Sequence, residues 1–245
     1  LKDETHRYLD KKYYGLWNSI DVGDFNGDGL PDLVLGNLGT NSQFKASEEE
    51  PAELYYADYD KNGSVDPILN FYIQGKAYPY VTRNELLGQL ANLRSRFTSY
   101  ESFADATMED IFTPEQLGRA TKLTANHLRT SLLLSTAKGK FSMIGLPEQA
   151  QYSCVYLSVI EDFDHDGNSD ILLLGNNRYF KLRLGKFDAN YGTLLLGDGQ
   201  GSFNYVPQTE SGLHIIGDVR SSVPMDDKLL FGIRGKDLKA YEFKK

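Results

Sequence analysis

The sequence predicts an all-β fold: a β-propeller or partial propeller of about four blade-like units with an α-helical insertion. Short β-prone runs alternate with acidic or glycine-rich turns along most of the chain, and the same strand–turn–strand patterns recur tens of residues apart. Such self-similarity is typical of propellers and of arrays of stacked sheets. We expect the 245 residues to form one domain of this type or a fragment of a larger propeller.

Three nine-residue segments share one acidic spacing: DFNGDGLPD (24–32), DYDKNGSVD (58–66) and DFDHDGNSD (162–170). Oxygen-bearing side chains stand at positions one, three, five and nine, and glycine stands at position six, where a calcium loop turns sharply. We therefore predict three structural Ca²⁺ sites, in which position seven contributes a backbone carbonyl. The candidate ligands are Asp24, Asn26, Asp28, Leu30 and Asp32; Asp58, Asp60, Asn62, Ser64 and Asp66; and Asp162, Asp164, Asp166, Asn168 and Asp170.

The loops are not EF-hands, because leucine (Leu35, Leu69 and Leu173) replaces the bidentate glutamate expected at position twelve. Apolar, β-prone residues flank each loop, so each is predicted to join two antiparallel strands. The alternative is an ordinary hairpin turn rich in Asp, Asn and Gly that holds no metal.

Two further hairpins are predicted at LLLSTAKGKF (132–141) and LLLGDGQGSF (194–203), each with a tight glycine turn between strands. A final set of strands is predicted at 217–219, 228–233 and 238–243. Its turn, from Met225 to Lys228, has too few well-spaced oxygens for a metal site.

A helical insertion is predicted over 84–127, between two blades. Thr82 and Glu85 form a capping box before leucines at helical spacing, and Thr113 and Pro114 begin a second helix that we expect to continue through Leu123 to His127. An insertion of this length either serves a function or covers an exposed blade edge.

Charge and composition exclude some partners. The formal charge is −8, and the three loops hold ten of the 34 acidic residues, so three Ca²⁺ ions (+6) would bring it to −2. The acidic chain has no basic stripe, which argues against nucleic acid. The single cysteine, Cys154, excludes an internal disulfide and is expected to be buried. No run of 18 apolar residues predicts a membrane span, and the start at Leu1 is typical of a mature or excised piece of a longer polypeptide.

The sequence contains no HExxH, GxSxG or CxxC motif. His165, at position four of the third loop, is expected to face solvent. The connection 176–191 combines basic, aromatic and acidic groups on a predicted rigid scaffold, which is typical of a recognition loop. Its candidate partner-binding residues are Arg178, Tyr179, Arg183, Asp188 and Tyr191.

The three acidic loops and the GDGQGSF hairpin resemble the FG-GAP/VCBS repeats of integrin-type β-propellers. Together with GNLGTNS (36–42), KASEEEP (45–51) and DATMEDIF (105–112), they are similar to exported bacterial VCBS-repeat proteins associated with ASPIC/UnbV regions. The resemblance implies a calcium-bearing propeller outside the cytoplasm. The expected function is a non-catalytic, extracellular or cell-surface module that binds a protein or a polysaccharide. The alternatives are a polysaccharide lyase- or dehydratase-like enzyme and a structural subunit of a surface complex.

Overall fold

The computed structural model describes residues 1–180 and 182–243. The chain forms two compact units: unit 1 consists of Leu1–Gln43 and Leu128–Lys245, and unit 2 of Phe44–His127. Antiparallel sheets account for most of the regular structure of unit 1, and unit 2 combines one such sheet with short helices, so the described chain is mostly β, as predicted. The sheets number four in the described part of the chain.

The strands and helices follow in chain order. The strands are β1 Ser19–Gly23, β2 Asp32–Gly36, β3 Ala52–Ala57, β4 Asp66–Ile73, β5 Lys76–Pro79, β6 Thr121–Ala125, β7 Ser131–Ser135, β8 Phe141–Gly145, β9 Val155–Glu161, β10 Asp170–Gly175, β11 Thr193–Gly197, β12 Phe203–Val206, β13 Val219–Met225, β14 Lys228–Ile233 and β15 Lys239–Glu242. The α-helices are α1 Thr5–Tyr8, α2 Arg83–Gln89, α3 Glu101–Ala104, α4 Met108–Ile111, α5 Pro114–Arg119 and α6 Gln208–Ser211. Short 3₁₀ helices span Ala91–Ser95, Glu148–Gln151 and Leu182–Leu184.

Unit 1 contains three sheets. The first sheet has the strand order β1-β2-β7-β8, the central sheet β9-β10-β11-β12, and the third sheet β13-β14-β15. In the first and central sheets, an acidic strand pair is completed by a glycine hairpin, through registers such as Val34 opposite Leu132 and Leu172 opposite Leu194. One blade-like sheet is therefore the sum of two motifs that the sequence shows separately.

The central sheet is buried on both faces, and β10 shows why its sequence is continuously apolar. Ile171 and Leu173 pack in a core with Val34 and Leu132 of the first sheet. The alternate residues Leu172 and Leu174 pack against the third sheet, in a core that includes Phe231 and Ile233. Because successive side chains of a strand point to opposite faces, a strand between two sheets needs apolar residues at every position.

The end of β10 requires a glycine because the neighbouring backbone approaches closely. A Cβ atom at Gly175 would lie 1.9 Å from the carbonyl oxygen of Cys154. The pairing of β9 and β10 also shifts register between Leu174 and Gly175. This close approach lets the chain leave the sheet towards the connection that follows.

Unit 2 is a sheet of order β5-β4-β3-β6 with helices on one face. Capping boxes begin α2 at Thr82, α4 at Thr107 and α5 at Thr113. The first and third were predicted. The helices contribute Leu86, Leu90, Ile111 and other buried residues to a core that includes Ile68 of β4.

Two expectations about the insertion were wrong. The helical pattern at Leu117, Ala120 and Leu123 does not continue to His127, because α5 ends at Arg119 and β6 pairs with β3, placing Leu123 opposite Leu54. The insertion also does not lie between two blades, because its helices lie along the chain between β5 and β6, which belong to one sheet. The whole of unit 2 in turn falls, along the chain, between β2 and β7, which are paired strands of one sheet.

Membrane insertion by a helix receives no support from the structure. Among the helices of the described residues, none combines the length and the hydropathy required to cross a bilayer.

Candidate metal sites and partner surface

Each acidic loop joins two antiparallel strands, as predicted: β1 to β2, β3 to β4 and β9 to β10. All three turn through left-handed backbone at positions four and six. Position six is glycine in every loop, and a Cβ atom there would meet nothing within 4 Å, so the glycine is required by its dihedral angle rather than by space. The φ angles are 70° and 77° at Gly27 and Gly29, 61° and 87° at Lys61 and Gly63, and 63° and 90° at His165 and Gly167.

The aspartate at position one organises each loop. The carboxylate of Asp24 accepts hydrogen bonds from the backbone amides of Gly27 (2.8 Å) and Gly29 (3.0 Å). Asp58 and Asp162 accept equivalent bonds from the amides at positions five and six, at 2.9–3.1 Å. These bonds curl the backbone around one carboxylate, so the side chains at positions three and five approach it. His165, at position four, is exposed, as expected.

The aspartate at position nine is buried and ties the loop to its sheet. Asp32 accepts from the amide of Phe25 in its own loop (3.0 Å) and from the amide of Ser135 on β7 (2.7 Å). Asp170 accepts from the amides of Phe163 and Gly197, both at 2.8 Å. Each carboxylate oxygen keeps a further lone pair, so these bonds leave room for a cation.

The pKa of Asp170 is raised by burial and by the negative charges of the third loop. Burial raises the pKa of its carboxyl group, and the nearby charges of Asp164 and Asp166 raise it further, against two amide hydrogen bonds that lower it. A divalent cation among these groups would offset both the burial and the repulsion.

The second loop is tied to helices instead of a third strand. Asp66 accepts from the amide of Tyr59 (3.1 Å) and from the side-chain Nε2 of Gln89 on α2 (3.1 Å). The side chain of Gln116 on α5 donates to the Tyr59 carbonyl oxygen (3.3 Å). Sequence reasoning missed both glutamines, because they follow the loop by more than twenty residues.

Two of the loops bring three carboxylates close together. One oxygen from each of Asp58, Asp60 and Asp66 lies within 4.8 Å of the others, and the same holds for Asp162, Asp164 and Asp166. Side-chain carboxylates at this spacing, supplemented by amide and carbonyl oxygens, suit a hard cation such as Ca²⁺. Asp24, Asp28 and Asp32 of the first loop do not form such a group, and Asn26 takes the place of a carboxylate there. The second and third loops are therefore the two with a group of carboxylates that could hold a metal ion.

An aromatic residue at position two anchors each loop in a core. Phe25 contacts Phe203 of the central sheet edge to face, with ring centroids 5.7 Å apart. Phe163 contacts Phe243 in the same manner at 5.6 Å. Tyr59 stacks on Phe112, which follows α4, at 3.9 Å. In unit 1 this residue thus packs against the next sheet, and in unit 2 it packs against the helical segment.

Comparison with known families places a repeat at the first loop. Residues 16–45 match the FG-GAP repeat family model. The matched segment holds β1, the first acidic loop and β2, which are the elements that carry the resemblance in the sequence. FG-GAP repeats are typical of extracellular proteins. No curated protein and no solved structure gives a significant match to the chain.

The predicted partner residues do not form a single group. Arg178 lies beside Asp188, with Nε 3.8 Å from Oδ2, and Tyr179 lies under the guanidinium of Arg234, 4.7 Å from the ring centroid. Tyr191 is not part of this group and stacks on His214 at 5.4 Å. Arg183 is exposed in the 3₁₀ turn Leu182–Leu184. Two arginines from outside the 176–191 connection contact it: Arg234 lies over Tyr179, and Arg220 donates to the carbonyl oxygen of Asn176.

Proposed function

We propose that this chain is a non-catalytic, calcium-stabilised module of the cell surface or extracellular space, built of propeller-type blades, that binds a protein or polysaccharide. The observation that carries the calcium assignment is the grouping of three carboxylates within 4.8 Å in each of two loops. Three negative charges at this distance repel one another, and a divalent cation converts the repulsion into attraction.

The role of calcium follows from the position of the loops. Each loop closes a strand pair, and its position-nine aspartate hydrogen-bonds to the next strand or to α2. A cation held by positions one and three together with position nine in the second loop, or position five in the third, would stabilise the folded hairpin by mass action, because the unfolded loop does not present these oxygens together. Calcium would therefore act on stability and on the alignment of the sheets.

The stacked sheets of unit 1 support the propeller-type assignment. β9 contacts both β1 and β13, so the three sheets follow one another in chain order with their first strands together. Stacking in chain order around the first strand of each sheet is the arrangement of propeller blades. The FG-GAP match supports an extracellular, adhesion-type context.

Thermal unfolding with calcium, with magnesium and with chelator tests the proposal. We expect calcium to raise the melting temperature and chelator to lower it. Magnesium should raise the melting temperature less than calcium does, because Mg²⁺ prefers a smaller, stricter octahedral site. Asp58→Asn and Asp162→Asn should each remove part of the calcium shift.

Asp3→Asn is the control, because the Asp3 carboxylate also accepts hydrogen bonds, from the amide and the hydroxyl of Thr5, but lies outside the three loops. This variant should lose stability equally with and without calcium. A melting temperature that is the same in calcium and in chelator would contradict the proposed role.

A further inference from the structure

We propose that an arginine–tyrosine cluster on unit 1 binds the carboxylate or sulfate groups of an acidic polysaccharide. The inference rests on the proposed function and names the class of partner. The cluster consists of Tyr156 on β9, Arg178, Tyr179 and Asp188 in the 176–191 connection, Asp218 just before β13, Arg220 on β13, and Arg234 just after β14.

Direct contacts join the members of the cluster. The guanidinium of Arg220 lies 3.8 Å from the ring centroid of Tyr156 and 3.9 Å from a carboxylate oxygen of Asp218. The second carboxylate of the cluster belongs to Asp188, and its Oδ2 lies 3.8 Å from Nε of Arg178. The backbone amide of Arg178 donates to Asp218 (3.3 Å), and Arg234 covers Tyr179. The guanidinium of Arg220 also donates to the carbonyl oxygens of Val219 (2.7 Å) and Asn176 (2.9 Å), so it holds the cluster together. The exposed Arg234 and the half-buried Arg178 are then the groups that meet an anion, on a protein whose net charge is −8.

Hydrogen bonds and ring contacts hold the described residues of the 176–191 connection in place. Asn176 is buried, has a left-handed φ of 75°, and donates to the carbonyl oxygens of Asn190 (2.6 Å) and Gly217 (3.0 Å). Asn177 and Phe187 form an isolated β-bridge. Buried Phe187 also contacts the ring of Phe180 at 4.7 Å. A platform fixed before binding loses little conformational entropy when a ligand arrives.

The chemistry of the cluster suits an acidic sugar. Tyr179 is 71% exposed although the Arg234 guanidinium covers one face of its ring, so a sugar can contact the remaining aromatic surface while its anionic group meets arginine. Arginine recognises carboxylate and sulfate oxygens through paired N–H donors. The cluster has no aliphatic member, whereas the centre of a protein–protein interface is usually apolar. These features favour a polysaccharide over a protein.

The cluster lies at the far end of the central sheet from its acidic loop. The third loop joins the end of β9 to the start of β10, whereas the cluster lies at the start of β9 and beyond the end of β10. Six residues of strand separate the two sites, a length of roughly 20 Å. Calcium in that loop would stabilise the sheet without touching the sugar.

Binding of hyaluronate, dextran sulfate and neutral dextran, measured by calorimetry in calcium, tests the inference. We expect the two anionic polymers to bind, neutral dextran not to bind, and added salt to weaken binding through screening. Tyr179→Ala and Arg234→Ala should each weaken binding by roughly tenfold, the loss of one stacking or charge-assisted contact. Arg234→Lys should recover only part, because it keeps the charge but loses the paired donors.

Two controls separate this inference from the proposed function. Arg119→Ala removes an exposed arginine of unit 2 that pairs with Glu115 in the same helix, and this variant should bind the polymers normally. Asp162→Asn should lower thermal stability but leave the affinity unchanged at a temperature where the variant is folded.

Three outcomes would overturn the inference. The first is no binding of either anionic polymer, and the second is binding by Tyr179→Ala and Arg234→Ala as tight as that of the unsubstituted protein. The third is preferential binding of poly-glutamate, which would indicate an acidic protein partner. Each would leave the calcium experiment unaffected.

Discussion

The side chain of Gln89 on α2 donates a hydrogen bond to Asp66, the last aspartate of the second acidic loop, at 3.1 Å. Asp66 also holds the amide of Tyr59, whose ring stacks on Phe112 at 3.9 Å. The helical segment of unit 2 therefore contacts both ends of the loop. In unit 1, the strands β7 and β11 provide the corresponding bond to Asp32 and Asp170.

The Gln89 contact leads to a prediction about coupling between the helices and the second loop. Gln89→Ala should destabilise unit 2 by about 1–2 kcal/mol, since it leaves a buried carboxylate oxygen without its donor. Asn84→Ala, which removes an exposed bond to Tyr100 from the same helix, should cost less. Denaturant unfolding measures both. Hydrogen exchange should show faster exchange over α2 and β4 in the first variant, and unchanged exchange there would argue against coupling.

The left-handed glycines predict a conformational cost with an internal control. Gly167→Ala should destabilise the protein by about 1–2 kcal/mol, because its φ of 90° suits glycine and the site otherwise has space for a methyl group. Gly88→Ala, at an equally open position within α2, should stabilise by about 0.5–1 kcal/mol, since alanine is the better helix former. Chemical denaturation distinguishes the two signs. Stabilisation by both substitutions would show that position six does not need its left-handed backbone.

The two-faced burial of β10 predicts large losses from either face. Ile171→Ala and Leu172→Ala should each cost about 2–5 kcal/mol, because one opens a cavity towards the first sheet and the other towards the third. Leu123→Ala on β6 removes a side chain that is 55% exposed, and its cost should stay below about 1 kcal/mol. A small loss at Leu172 would mean that the third sheet does not pack firmly on the central one.

The buried thiol predicts a pH-dependent reactivity. Burial raises the pKa of Cys154 to about 11, and the residue is fully enclosed. The folded protein should therefore resist Ellman's reagent throughout pH 7–9, whereas protein unfolded in denaturant should react faster as the pH rises towards the ordinary thiol pKa of roughly 8.5.

The same shift has a consequence for stability. The folded state favours the protonated thiol of Cys154. The contribution of this thiol to the free energy of unfolding is therefore full below the thiol pKa of the unfolded chain and is lost as the pH rises through the thiol pKa of the folded protein. Cys154→Ser, which cannot ionise in this range, should lack that loss. Rapid modification of the native protein at neutral pH would contradict the burial.

Local sequence patterns predicted much of the fold. The acidic spacing placed three strand pairs, and the motifs ending at Phe141 and Phe203 placed two hairpins, because turn chemistry and strand alternation act over a few residues. The capping boxes at Thr82 and Thr113 marked helix starts for the same reason.

The same reasoning failed where distant residues decide the outcome. Leu117, Ala120 and Leu123 have helical spacing, yet Leu123 lies in β6 because pairing with β3 completes the sheet. No sequence pattern near Arg178 indicated that Arg220 and Arg234 would contact the 176–191 connection, at Asn176 and Tyr179.

By itself, the sequence determined where the chain turns, which residues are candidate oxygen ligands in each acidic loop, and most of the runs that become strands, since these depend on neighbours a few bonds away. The tertiary structure alone decided that the acidic strand pairs and glycine hairpins combine into single sheets, that residues 44–127 form a separate unit along the chain between two paired strands, and which arginines meet Tyr179. Sheet pairing and side-chain clusters join residues distant in the chain, and the choice among such pairings is set by the burial of the whole core rather than by any local pattern.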